Sequence, residues 1–244
     1  MTVLSLSLKN NGGNKMIGII GAMKEEVQAI LERMDVTETQ EKLNYKYHIG
    51  KIAKKDCVVV QGGIGKVNAA VSATLLFENY HPKQLINIGS AGGLSLDQTV
   101  GDVVISSKVG YHDVDVTAFN YEYGQMAGSP RFFEADPQLI EITKQALNEN
   151  HVAAHTGLIV SGDMFVAQKT QVENIKQHFP KALCAEMEAA AIAQVCTIYD
   201  VPFIITRSLS DIFGKGNSGM QFDEYLQIAS AASAKMCCSL VEKL

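Results

Sequence analysis

Residues 16–27 read MIGIIGAMKEEV. Ile17 to Ile20 is a short apolar run rich in β-branched residues, as expected of a buried strand, and from Lys24 to Met34 the spacing turns helical. The same change of period recurs along the chain. Further strand-like runs stand at Val58 to Val60, Leu85 to Ile88, Val103 to Ile105, Leu158 to Val160 and Phe203 to Thr206. Helical patterns stand at Val67 to Asn79, Pro137 to Glu149, Gln168 to His178, Ala185 to Tyr199 and Phe222 to Lys243. Such alternation predicts an α/β fold whose sheet is largely parallel, with helices on both faces. A chain of 244 residues, 47% hydrophobic and 19% charged, fits one such domain, and no repeat, low-complexity tract or linker divides it.

The segments just after the strands are more informative than the strands themselves. GAMKEEV comes after Ile20, QGGIGKVNAA after Val60, GSAGG after Ile88, SGDMF after Val160 and RSLSD after Thr206. All five are expected at carboxyl ends of strands, the edge where open parallel sheets bind ligands. Residues scattered from Met23 to Asp211 can therefore converge on one pocket. The glycines there let backbone come close to a ligand.

Composition narrows the ligand. A formal net charge of -5 without a dense Lys/Arg cluster argues against nucleic acid or an anionic membrane as the main partner. Five cysteines without a C-x-x-C pair make neither a disulfide framework nor a zinc signature, which suits a reducing, cytoplasmic setting. Residues 1–15 lack the basic and apolar regions of a secretory signal and read as a disordered leader, with the folded domain at residues 16–244. No apolar run is long enough to span a bilayer. GIIGAM lacks the G-x-G-x-x-G of dinucleotide-binding folds. GGIGKV has Val67 where a phosphate-binding loop needs Ser or Thr. His151 and His155 lack the neighbouring Glu of a zinc protease and read as surface histidines.

A set of carboxylates remains: Glu25 and Glu26, Asp163, Glu186 and Glu188, and Asp211. If AEMEAAAIAQVC is helical, Glu186 and Glu188 lie about 200° apart and at most one faces a pocket. Asp211 follows the apolar strand PFIIT through a short polar tail, a placement that favours function.

IGIIGAMKEEV, GGIGKVNAA, NIGSAGGL, DVTAFNYEYGQ, SGDMFV, AEMEAAAIA and RSLSD together resemble the bacterial 5'-methylthioadenosine/S-adenosylhomocysteine nucleosidases, in the purine nucleoside phosphorylase superfamily. The likeness runs from Met16 to Leu244 in the family's order and spacing. It implies a single α/β domain with a central mixed sheet, a homodimer, and no metal or other cofactor. By the same resemblance Glu26 activates water and Asp211 protonates the purine, supported by Ser208 and Ser210. Glu188 would bind the ribose hydroxyls with Met187 against the sugar, while Phe165 stacks on adenine and the Val166 backbone reads its edge. Ser90, Gly92 and Arg207 would line the ribose and water side. Met23, Ile64 and Phe222 would form the slot for the 5' substituent, closed across the dimer by Val116, Phe119 and Tyr121. Ala127 stands where relatives often carry proline, and the segment after Asp211 is about one residue longer than in some of them.

The chemistry agrees with the likeness. Breaking an N-glycosidic bond needs an acid for the departing base and a second carboxylate for water, because the transition state resembles an oxocarbenium ion. A nucleoside phosphorylase is the nearest alternative, and it needs cationic donors for phosphate. Ile88 to Gly93 contains no arginine, and among the motifs Arg207 is the strong candidate cation. A hydrolase of futalosine-type nucleosides is a second alternative.

Overall fold

The computed structural model describes residues 16–216 and 218–244; the predicted leader at 1–15 lies outside them. Strand β1 (Ile17–Gly21) sits centrally between β4 (Lys55–Gln61) and β5 (Gln84–Ile88), parallel to both. Every residue of β1 is buried, which is why its sequence is a continuous apolar run rather than an alternation. Outside β4 lies an antiparallel hairpin of β2 (Asp35–Lys42) and β3 (Tyr45–Ile52). Sequence periodicity passed over it because β2, DVTETQEK, is an exposed edge strand with little apolar side chain to bury.

Beyond β5 the sheet curls. The chain passes through Gly89 alone into β6 (Ser90–Gly93), and both strands run parallel to the long strand β11 (Phe203–Ile212). Strands β7 (Val103–Tyr111), β8 (Phe133–Glu134), β9 (Ala154–Ser161) and β10 (Ala182–Glu186) complete the sheet, in the order β2-β3-β4-β1-β5-β11-β6-β10-β9-β7-β8. β11 also pairs antiparallel with β7, so β11, β6, β10, β9 and β7 close into a ring. The sheet is therefore mixed, open at one end and closed at the other.

Six α-helices flank it among the described residues: α1 (Lys24–Leu31), α2 (Lys66–Tyr80), α3 (Pro137–Glu149), α4 (Lys169–His178), α5 (Ala189–Ile198) and α6 (Ser218–Lys243). α6 packs against β11 and α1, and α2 against α5. Cys237 is fully buried in α6 among apolar side chains. None of the described helices is long and apolar enough to cross a membrane.

Two expectations about elements need correction. RSLSD is no polar tail beyond a strand, because β11 continues buried through Ile212. The helix expected from Ala185 begins at Ala189 instead, with Ala185 and Glu186 ending β10.

Candidate active site

A cavity of about 340 Å³ opens beside β1, β6, β10 and β11, with a largely apolar wall. Glu26 enters it from the first turn of α1 and is 1% exposed. Its side chain turns back on the helix start, where Oε2 accepts the N–H groups of Ala22 at 2.7 Å and Met23 at 3.0 Å. Oε1 accepts the N–H of Ser90 at 3.2 Å. Burial pushes the Glu26 carboxyl above the usual range, opposed by the Met23 N–H, the charge of Arg207 and the other two N–H donors.

Asp211 reaches the cavity through a break in strand register. Pairing of β11 with β6 goes from Leu209 opposite Ala91 to Asp211 opposite Gly92, which leaves Ser210 as an extra residue. Adjacent strand residues ordinarily face opposite ways. The bulge lets Ser210 and Asp211 both line the cavity, and Ser210 Oγ donates to Asp211 Oδ1 at 2.9 Å. A side chain at Gly92 would crowd this carboxylate, since a Cβ there would stand 3.3 Å from Asp211 Oδ2. Ser208, expected to share the supporting role, has its Oγ buried without a hydrogen-bond partner among the described residues.

Glu186 and Glu188 both line the cavity, against the expectation that at most one could. That expectation assumed a helix, and here the first glutamate ends a strand while the second precedes α5. Glu186 Oε2 accepts the N–H groups of Glu188 at 3.0 Å and Ala189 at 2.9 Å, capping α5, while its Oε1 bonds Ser161 Oγ. Glu188 is thereby free of capping, and its Oε1 accepts the Gly65 N–H at 2.8 Å. Burial, then the neighbouring Glu186, raises the Glu188 carboxyl to about 8, against Arg207 and the Gly65 N–H.

Arg207 does not line the cavity, contrary to its expected place on the ribose and water side. Its guanidinium lies behind Gly89, where a Cβ would stand 3.3 Å from Cζ. It donates through Nη2 to Glu186 Oε2 at 2.7 Å and Asn87 Oδ1 at 2.6 Å, through Nε to Glu186 at 3.2 Å, and through Nη1 to the Thr206 carbonyl at 3.0 Å. This cation is spent inside the protein.

Residues 16–242 match the family model described as the phosphorylase superfamily. A 5'-methylthioadenosine/S-adenosylhomocysteine nucleosidase of Oceanobacillus iheyensis is 45% identical over 228 residues, covering 93% of this chain and 99% of the relative. The chain belongs to the 5'-methylthioadenosine/S-adenosylhomocysteine nucleosidase family. The nucleosidase of Neisseria meningitidis, solved with methylthio-immucillin-A, superposes with a TM-score of 0.91 at 41% identity, over 95% of this chain and all (100%) of that one. The Streptococcus pneumoniae member, solved with the transition-state inhibitor MT-ImmA, gives 0.88 at 41% identity, over 93% and 98% of the two chains.

Most residues named on the nucleosidase resemblance gather at the one cavity. Ser90, Gly92, Ser210, Met187 and Val166 line it. So do Met23, Ile64, Phe165 and Phe222, whose two phenyl rings meet edge to face with centroids 5.8 Å apart. Val116, Phe119 and Tyr121 stand outside the cavity of their own chain, and Phe119, in a short 3-10 turn, is 74% exposed. Sequence reasoning did not assign Ala22, Gly89, Ala91, Met164 or Ala185, which line it chiefly through their place beside assigned neighbours. No cluster of metal-ligating side chains occurs among the described residues.

Proposed function

We propose that the chain hydrolyses the N-glycosidic bond of 5'-methylthioadenosine and S-adenosylhomocysteine, and also of 5'-deoxyadenosine, to release adenine. The observation that carries this reading is the pairing of buried Glu26 and Asp211 at one apolar cavity. Glu26 is anchored at Ser90 and Asp211 lies beside Gly92, two residues on along β6 and so separated by roughly 7 Å of strand. Asp211 gives its proton to purine N7 as the bond from C1' to N9 breaks, and the departing electron pair stays with the purine. Water attacks C1' and passes its proton to Glu26.

Glu188 takes the ribose hydroxyls with Met187 behind the sugar, while Phe165 stacks on adenine and the backbone of Val166 meets its edge. Ser90 and Gly92 border the ribose and water. Met23, Ile64 and Phe222 surround the 5' substituent, and Val116, Phe119 and Tyr121 of the partner subunit close that slot in a homodimer. Arg207 acts from behind, through Glu186 and through its charge on Glu26. Commitment of Arg207 to Glu186 and Asn87 favours water over phosphate as the nucleophile. No metal or other cofactor enters these steps. A catalytic domain at residues 16–244, a cytoplasmic setting and a place in methionine salvage accompany this reading. The test is release of the free purine base from methylthioadenosine, S-adenosylhomocysteine and a futalosine-type nucleoside; preference for the last would favour the second hydrolase reading.

A further inference from the structure

Gly65 and Lys66 open α2, and their consecutive backbone N–H groups serve two different carboxylates. Gly65 donates to Glu188 Oε1 and Lys66 to Asp163 Oδ1, each at 2.8 Å. Gly65 holds φ at 90°, a region that favours glycine, and a Cβ there would stand 3.1 Å from Asp163 Oδ1. The Lys66 side chain closes the arrangement. Its Nζ is 2.6 Å from Asp113 Oδ2 and 3.8 Å from Asp163 Oδ2, and the same Asp113 oxygen accepts the Asp163 N–H at 2.9 Å. The Lys66 and Asp113 side chains are 24% and 16% exposed, so this pair is better shielded than an ordinary surface bridge.

Neither Lys66, Asp113 nor Asp163 lines the cavity. Asp163, however, stands two residues before Phe165, while Glu188 hangs on the adjacent Gly65 amide. One dipeptide therefore spans the half of the cavity that holds adenine and the half that holds ribose. We propose that Lys66, with Asp113 and Asp163, is a positioning residue that fixes the separation of Phe165 and Glu188 and so aligns a whole nucleoside. This role rests on the reading of the cavity as a nucleosidase site. Free adenine, which occupies one half, has little need of the fixed separation.

The test compares steady-state turnover of methylthioadenosine with the Kd for adenine in Lys66→Met, Lys66→Arg and the control Lys51→Met, which removes an exposed pair between β3 and Asp56 of β4, neither residue lining the cavity. Misplacement by about 1 Å can cost on the order of 10²-fold, so Lys66→Met should lower kcat/KM roughly 10- to 100-fold, chiefly in kcat, with adenine affinity changed no more than about twofold. Lys66→Arg should recover most of the loss, and Asp163→Asn should add little to Lys66→Met. Equal losses in nucleoside turnover and adenine affinity, or an unchanged kcat/KM, would overturn the positioning role. Should Lys66→Met fail to fold, Asp113→Asn carries the same comparison, because it weakens the Nζ contact and leaves the Lys66 backbone bond. A wild type that releases no adenine from methylthioadenosine would overturn the nucleosidase reading, and this role with it.

Discussion

Asp211 and Glu26 are both buried carboxylates with different neighbours. Ser210 Oγ touches Asp211 on the bulged strand, whereas Glu26 is held by three backbone N–H groups. If Asp211 is the leaving-group acid, Asp211→Asn should cost about 10² to 10⁴ in turnover on adenine nucleosides, and much less on a ribosyl nitrophenolate that departs without a proton. Glu26→Gln should impair both substrates, because water must be activated whichever group leaves. Comparing kcat for the two variants on the two substrates checks this; equal losses for Asp211→Asn would remove it as the acid. Glu188 supports a prediction about pH. Its carboxyl is raised from the ordinary 4.5 to about 8, so the folded protein binds a proton that the unfolded chain has lost between those values. Stability from this group is fully present below the lower value and is lost as pH rises through the upper one. Thermal unfolding of the unliganded protein should lose stability over that window, and Glu188→Gln should flatten the slope. Parallel pH profiles for the two proteins would contradict the shift.

Single elements explain what could be read from sequence and what could not. β1, β4, β5 and β11 were legible because strands buried on both faces are continuous apolar runs. α3 was legible to both ends, with Asp136 capping it through the Leu139 N–H at 2.9 Å and Pro137 in its first turn. Asp136→Ala should cost about 0.5 to 2 kcal/mol of stability and leave turnover unchanged, since Asp136 does not line the cavity. Chemical denaturation with a parallel activity assay checks it, and a fall in kcat without a loss of stability would be the contrary result. The β10 to α5 junction was not legible, because AEMEAAAIA has helical composition throughout. What ends the strand there is tertiary: Ser161 and Arg207 bind Glu186 from β9 and β11. The same contacts bring both glutamates to the cavity, and they also withdraw Arg207 from it. The bulge at Ser210 was equally hidden, since strand register depends on the partner β6.

At the scale of the whole molecule, the half-closed sheet gathers Glu26 from one end of the chain and Asp211 from the other at a single cavity. Ile64, Val67, Phe119 and Met126 leave large apolar side chains exposed on one chain, in keeping with the proposed homodimer. If the proposed homodimer shares its slot between subunits, dilution below its dissociation constant should weaken substrate affinity and turnover together, as read by sedimentation and kinetics on the same samples. A monomer with full activity would refute the shared slot. Hydrolysis by two carboxylates follows from the gathering of Glu26 and Asp211 at that cavity. Its most direct measurement is product analysis of methylthioadenosine turnover with and without added phosphate. Hydrolysis should yield adenine and free 5-methylthioribose at the same rate in both; dependence on phosphate, with 5-methylthioribose 1-phosphate as the product, would rule hydrolysis out.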